Sequence, residues 1–459
     1  MKPDVVIIGA GTGGLIAALK MAREGLDVLV MEKSSEDHYG NTWMNDLDLH
    51  PFEKYDLPKP LPEELAFPID RNIRANANGV EGGVIIGNIP NYALKMSLYQ
   101  KRLVSLCREA GVQFVFNSRA TGFLEDGKAV TGILVEDGGV SKDIPARMVV
   151  VACGAFAPIL KKIPEFCDFD FHFRPDDAVH AIQELWKINP GPAREMVSQG
   201  SLTPNEMVFF MGVPGAGPFS TFMYQLDLDQ EVVALLAGCK PQNPGVLSPR
   251  ELIDDFKDNS LGFCTEKIYG GGRAIPMRQS LDNLVDNGIA ILGDAAFMAS
   301  PANGSGTTPS MVAGAQCAWT VAKVLNAGLK PTRKALWGYN VAFQTGLGAT
   351  FAGYYVAHRI FTTFSEQEVQ NLIRHKLIDP RQFKNVHDAK PFGVDPLQGL
   401  GLFMKALPVM GALIGFVKHG AKIPIITRHY RNFPGEYDPE TFTLWRQRTN
   451  KILKRLDVS

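Results

Sequence analysis

Between Asp4 and Glu32 the chain spells out one complete supersecondary unit. Asp4-Val5-Val6-Ile7-Ile8 is apolar and rich in β-branched residues, which predicts a buried strand. Gly9-Ala10-Gly11-Thr12-Gly13-Gly14 follows at once, with glycines in the first, third and sixth places. Leu15 to Glu24 has helical spacing and stops at Gly25, a C-terminal glycine; a second strand, Asp27 to Met31, ends on Glu32.

Each residue type in this unit has a physical role. Gly9 permits the tight turn, Gly11 lets the backbone approach a pyrophosphate, and Gly14 lets the helix pack close to the strand. The pyrophosphate then meets free N–H groups at the positive end of the helix dipole. Glu32 stands 18 positions beyond Gly14, where its carboxylate can accept hydrogen bonds from a ribose diol. A phosphate on that ribose would be repelled, so the expected ligand is a dinucleotide with an unphosphorylated adenosine ribose.

The chain has 459 residues, long for a single core, and two interleaved or successive domains are expected. With 45% hydrophobic and 21% charged residues the composition is that of a soluble globular protein. A formal net charge of -1 supplies no basic field, which argues against a nucleic-acid partner. Cys107, Cys153, Cys167, Cys239, Cys264 and Cys317 are scattered without a CxxC pair, so neither a metal site nor a dithiol relay is expected, and a reducing compartment is. The N-terminus runs directly into a strand and no apolar run reaches about 20 residues, so the expected location is cytoplasmic.

Further along, Ser34 to Asp70 reads as loop and Ile73 to Ile89 as strand with glycine turns. Leu94 to Ala110 reads as a helix ending at Gly111; Val112–Phe116 and Ala129–Glu136 read as strands. Met148-Val149-Val150-Val151-Ala152-Cys153-Gly154 reads as a buried strand whose tip is small enough to pass beside a dinucleotide. Met207 to Cys239 is β-rich, Pro249 to Leu261 is an amphipathic helix, and Gly270-Gly271-Gly272-Arg273 reads as a bend before another strand.

A second constellation spans Gly288 to Gly314. Ile289-Ala290-Ile291-Leu292 is a buried strand tipped by Gly293-Asp294-Ala295-Ala296, and Pro301-Ala302-Asn303-Gly304-Ser305-Gly306 is a tight turn. Thr308 is read as the N-cap of the next helix, with Pro309 at its first position.

Together these blocks resemble the FAD-dependent oxidoreductases of the p-hydroxybenzoate hydroxylase-like superfamily, and most nearly its geranylgeranyl reductase branch. The resemblance rests on Gly9–Gly14 with Glu32, on Ala152-Cys153-Gly154, and on Gly293-Asp294-Ala295-Ala296 with Pro301 and Gly304-Ser305-Gly306. It implies an α/β fold: a Rossmann-like FAD-binding domain interleaved with a mainly antiparallel β substrate domain, followed by a C-terminal helical region. The implied division is 1–72, 94–165 and 275–330 for the FAD domain, 73–93 and 166–274 for the substrate domain, and 331–459 for the helices. The implied cofactor contacts are Gly9, Gly11, Thr12, Gly13, Gly14, Glu32, Lys33, Ala120, Ala152, Gly154, Gly293, Asp294, Pro301, Gly304, Gly306, Thr307 and Thr308. Among them Glu32 is expected on the adenosine ribose, Asp294 on the ribityl chain, and Gly304–Thr308 along the flavin ring.

The chain departs from the branch at three places. Met96-Ser97-Leu98-Tyr99-Gln100 lacks the usual arginine, Tyr39–Asp46 holds no cysteine where the reductases carry Pro-x-x-Cys-Gly, and Phe222-Met223-Tyr224 is a faint echo of Tyr-x-Trp-x-Phe-Pro. The expected activity is reduction or dehydrogenation of a C–C bond in a lipophilic, isoprenoid-type substrate by hydride transfer through flavin N5. A flavin monooxygenase acting through a C4a-hydroperoxide is the alternative, and a non-catalytic flavin-binding assembly protein is a third.

No second GxGxxG has strand–helix context, so NAD(P)H or a reduced electron carrier is expected as a transient donor. No catalytic residue is assigned. His38, Tyr39, Asp46 and His50 are weak proton-donor candidates, Asn41 and Trp43 candidate flavin or substrate contacts, and Arg273 and Arg278 candidate anion holders or surface pairs. Leu397 to Ile426 is apolar, broken by Lys405, Lys418 and Lys422 and followed by Arg428, His429 and Arg431. The stretch 397–431 suits core packing, a substrate-tunnel roof or peripheral membrane contact.

Overall fold

A computed structural model describes residues 2–76, 84–137, 140–240, 246–375, 377, 379–391 and 419–454. Its first sheet has six strands in the order Val285–Asp286, Ile289–Ile291, Met148–Val151, Val5–Ile8, Val28–Met31, Gln113–Val115. All neighbours are parallel except the edge pair Val285–Asp286 with Ile289–Ile291. Every residue of Val5–Ile8 and Met148–Val151 is buried, which is why these strands are continuous apolar runs rather than alternating ones. The helices Thr12–Arg23, Met96–Glu109 and Thr307–Asn326 pack about this sheet, the first resting on both others.

A second, seven-stranded sheet runs Cys264–Pro276, Ala178–Ile188, Val232–Cys239, Thr221–Asp227, Glu206–Met211, Asn72–Asn76, Val84–Asn88. Only Glu206–Met211 with Asn72–Asn76 is parallel. Two distant stretches of chain therefore meet in one sheet. Arg119–Asp126, Ala129–Asp137 and Val140–Pro145 form a small antiparallel sheet, and Met44–Asp48, Asn91–Lys95 and Leu65–Phe67 another. From Arg333 onward the described elements are helices, pinned to the first sheet by the Arg333–Asp286 ion pair and by Trp337, which packs against Phe433, Tyr437 and Phe442.

This is the expected α/β architecture, with three local corrections. The 34–70 stretch is not all loop: Met44–Asp48 and Leu65–Phe67 are strands and His50–Lys54 is a helix. Asn45, Asp46 and Asp48 are poor strand formers, and the strand exists because Asn91–Lys95 pairs with it. The Gly270–Gly272 run is not a bend but lies inside the Cys264–Pro276 strand. The later helix starts at Thr307 behind Gly306, so Thr308 is inside the helix and not its cap. Of the 397–431 stretch, residues 397–418 lie outside the described residues. No helix among those described is long and apolar enough to cross a membrane.

Candidate functional site

The two glycine turns, almost 300 positions apart, converge because three strands end side by side. The Ala152 amide donates to the Ile8 carbonyl at 2.9 Å, and the Leu292 amide to the Val151 carbonyl at 3.0 Å. Gly9 leaves the first strand at φ +105°, a conformation that favours glycine, and a Cβ there would lie 2.5 Å from the Ala152 carbonyl oxygen. A Cβ on Gly14 would lie 2.5 Å from the Gly9 carbonyl oxygen, so Gly14 is needed for the close packing of helix against turn.

Gly13 lies against the second motif: a Cβ there would meet the Ser310 carbonyl oxygen at 2.7 Å. From the other side, a Cβ on Gly314 would stand 2.3 Å from the Gly13 carbonyl oxygen. The two motif helices thus touch backbone to backbone. Gly11 is the exception, with no other atom closer than 3.9 Å to its Cβ position. Protein packing does not require glycine at Gly11, whereas close approach of a phosphate does.

No side chain caps the helix at Gly11, so its first amides stay free for an anion. Glu32 is buried, and its carboxylate accepts the Ala10 amide at 2.9 Å and the Ser34 amide at 2.8 Å. It retains lone pairs for further donors.

The second turn opens with Gly293 at φ +67°, and the short helical turn Gly293–Ala296 closes on Phe297 at φ +56°. Gly304 donates to the Ser300 carbonyl at 2.9 Å and Ser300 to the Ser305 carbonyl at 2.8 Å, folding the loop back on itself. The Asp294 carboxylate reaches to 3.0 Å from the Cβ position of Gly306. Burial raises its pKa, and Arg273 opposes that rise. The Thr308 hydroxyl is buried without a hydrogen-bond partner among the described residues.

A cradle of bare backbone, two uncapped helix starts, a partnerless buried hydroxyl and two carboxylates fit the pyrophosphate, ring edge and sugar hydroxyls of FAD.

The connection after Glu32 spans the gap between these turns. The Asn41 amide donates to Gln100 Oε1 at 2.8 Å, Tyr39 Oη donates to the Gln100 carbonyl at 3.2 Å, and Asn45 Nδ2 donates to Thr307 Oγ1 at 2.9 Å. Gln100, which stands in the segment lacking the usual arginine, thus holds the Tyr39–Asn41 loop, and Asn45 ties it to Thr307, a role that the sequence reading missed. Trp43 lies over Gly271, whose missing side chain makes room for the indole. Arg273 lies 4.7 Å from the Trp43 ring centroid. Burial lowers the Arg273 pKa, against the pull of Asp294 and then Glu32, so this cation lies in the field of both acids.

Of the other expected contacts, Lys33 is exposed beside Glu32, and Ala120 is buried in the strand beginning at Arg119. Gly154 turns at φ +85° with open space around its Cβ position, and Pro301 is buried in the second turn.

The weak catalytic candidates do not gather. His38 and His50 are exposed, and His38 Nδ1 is 3.1 Å from Ser35 Oγ. Asp46 pairs with the buried Arg71 at 2.7 Å, and Arg71 also donates to Gln225 and Asn91. Arg278 donates to the His172 carbonyl rather than forming a surface ion pair. Two positions beyond Asp46, Asp48 Oδ1 is 3.1 Å from His387 Nδ1. Burial, with Asp388 and Asp46 adding like charge, pushes Asp48 up to about 8, and burial also lowers His387. Among the described residues no cluster of His, Cys, Asp and Glu has metal-site geometry.

Residues 4–155 match the family described as FAD dependent oxidoreductase. The chain is 23% identical over 374 residues to digeranylgeranylglycerophospholipid reductase 2 of Methanococcoides burtonii, covering 80% of this chain and 86% of that protein. Its fold is similar to that of a geranylgeranyl bacteriochlorophyll reductase-like protein from Thermoplasma acidophilum, with a TM-score of 0.68 at 16% identity over 91% of this chain and 99% of the other. It is also similar to an anhydrotetracycline hydroxylase from Streptomyces rimosus, with a TM-score of 0.58 at 15% identity over 86% and 79%. The protein is an FAD-dependent oxidoreductase related to the geranylgeranyl reductases, as its motifs imply.

Proposed function

We propose that this flavoprotein reduces, or in reverse dehydrogenates, C–C bonds of a lipophilic, isoprenoid-type substrate. The observation that carries the reading is the double-turn cradle combined with likeness along four-fifths of the chain to a digeranylgeranylglycerophospholipid reductase. The free amides after Gly11 take the pyrophosphate and Glu32 the adenosine ribose. Asp294 holds the ribityl hydroxyls, and Gly304 to Thr308 line the ring. When bound, FAD supplies hydride transfer at N5. The start of the Thr307–Asn326 helix presents its positive end, which favours negative charge on the ring. NAD(P)H or a reduced carrier protein serves as a transient donor, since the chain has no second dinucleotide motif.

A hydroxylase reading is favoured by the fold shared with the anhydrotetracycline hydroxylase and by the missing cysteine between Tyr39 and Asp46. Mass spectrometry of polyprenyl lipid turned over by the chemically reduced holoenzyme separates the two. Reduction adds two hydrogens per double bond without oxygen in the medium. Oxygen-dependent gain of one oxygen atom overturns the reductase reading in favour of the hydroxylase, and a lipid unchanged under both conditions overturns both.

A further inference from the structure

The last two described helices, Lys422–Arg431 and Pro439–Lys454, leave a cavity of about 610 Å³ between them. It is lined by Ile425, Arg428, His429, Leu444, Trp445 and Arg448. A neighbouring hollow of about 470 Å³ continues along Gln447, Asn450, Lys451 and Lys454. Its floor is packed: the His429 ring stacks on Trp445 with centroids 4.9 Å apart, and His429 Nε2 sits 2.9 Å from Thr449 Oγ1.

The rim carries two features that do not suit water alone. Ile425 is 51% and Leu444 66% exposed, each one helical turn from an arginine, Arg428 and Arg448 respectively. Arg428, Arg431, Arg448, Lys451 and Lys454 form no ion pair among the described residues, and Glu440 is the one acid in the two helices. The contrast lies on the same helix: Arg446, turned inward, pairs with Asp168 at 2.9 Å. Arg446 has an acidic partner, and among the described residues these five have none.

We propose that this face docks the protein on an anionic phospholipid bilayer, with Arg428 and Arg448 on lipid phosphates and Ile425 and Leu444 entering the acyl boundary. Guanidinium groups suit bidentate phosphate contact, and apolar side chains ringed by cations suit the headgroup–acyl boundary. Each cation near such a surface strengthens binding on the order of fivefold. The docking stands apart from the flavin chemistry, so either can fail alone.

The test is co-sedimentation of the full-length flavin-loaded protein with vesicles of mixed phosphatidylglycerol and phosphatidylcholine, against pure phosphatidylcholine. Binding is expected to the anionic vesicles only, and to weaken as salt rises from about 0.05 to about 0.5 M. Arg428→Glu with Arg448→Glu should cut vesicle partitioning by more than about tenfold with thermal midpoint and flavin content unchanged. If that variant misfolds, Arg428→Gln with Arg448→Gln replaces it with a smaller expected loss in the same direction. Equal binding to neutral vesicles overturns the docking, as does undiminished binding by the folded variant. Release from anionic vesicles by inorganic phosphate at constant ionic strength makes this a soluble-anion pocket and also overturns it. Self-association that both variants abolish, without vesicle binding by the parent, assigns the face to a second copy instead.

Discussion

Ala10 donates its amide to the Glu32 carboxylate at 2.9 Å, and this bond ties the first glycine turn to the acid at the end of the next strand. The Ser34 amide binds the other carboxylate oxygen at 2.8 Å, so Glu32 organises the loop on both sides of itself. An acid read from sequence as a ligand for ribose is also a structural acceptor for two backbone amides.

Glu32→Ala leaves both amides without their acceptor. We expect a loss of about 1–3 kcal/mol in apoprotein stability and a separate fall in FAD retention. Glu32→Gln keeps one acceptor oxygen and should fall between the two. Denaturant melts of stripped protein, read beside the flavin-to-protein absorbance ratio, distinguish the effects. An apoprotein indifferent to Glu32→Ala would contradict the structural half of this role.

Gly11→Ala and Gly314→Ala should behave in opposite ways. At Gly314 the new methyl meets the Gly13 carbonyl oxygen at 2.3 Å, so the two motif helices must separate. Overpacking of this kind costs about 1–3 kcal/mol, and FAD binding falls with it. At Gly11 the methyl has room and the backbone lies at φ -70° and ψ 166°, which alanine adopts freely. Apoprotein stability should therefore hold within about 0.5 kcal/mol while FAD affinity drops, because the methyl occupies the phosphate's approach. Equal FAD affinity in Gly11→Ala and the parent, measured by fluorescence titration, would remove the pyrophosphate from this turn.

Burial of Asp48 and His387 gives stability a distinctive pH dependence. Asp48 titrates near 8 when folded, above its unfolded value of about 3.9, so its contribution is lost as pH rises through that interval. His387 is lowered from 6.5 by burial, so its contribution is lost as pH falls below 6.5. The two oppose one another in mildly acidic solution, and above 6.5 Asp48 acts alone. Stability should decline by about 2 kcal/mol between pH 6.5 and 8. Asp48→Asn should abolish that decline and unmask a loss of stability below pH 6.5, which Asp48 offsets in the parent. Equal slopes in parent and variant across pH 6.5 to 8 would assign the titration elsewhere.

The legible part of this molecule is local, and the illegible part is long-range. Val5–Ile8, the glycine turn and the following helix announce themselves within about twenty residues, because strand apolarity, glycine spacing and helical period are neighbour effects. Gln100 and Asn45 act through bonds spanning 59 and 262 positions, and nothing in their local sequence marks them. Gly271 shows the same limit: three glycines in a row look flexible, yet here they form straight strand whose missing Cβ makes room for Trp43, which arrives from another part of the chain. Gly314 did carry a signal, since glycine costs a mid-helix position about 1 kcal/mol and is kept there for close packing.

Asp294 gives the sharpest separation of binding from folding. Its carboxylate accepts no hydrogen bond among the described residues, and burial raises its pKa with only Arg273 in opposition. An acid in that position costs folding free energy above its unfolded pKa, because the unfolded chain releases the proton more readily than the folded one. Asp294→Asn removes the cost, so the apoprotein should be more stable than the parent at pH 7, with the gain shrinking as pH falls towards about 4, the unfolded pKa of an aspartate. The same change weakens an acceptor for the ribityl hydroxyls, and loss of a charged hydrogen bond lowers FAD affinity by about 1.5–3 kcal/mol, roughly ten- to hundredfold. A pale preparation with a raised apoprotein melting temperature is thus expected. Full flavin content in Asp294→Asn would refute its place on the sugar chain, and a lower melting temperature would mean that the carboxylate supports the turn rather than straining it.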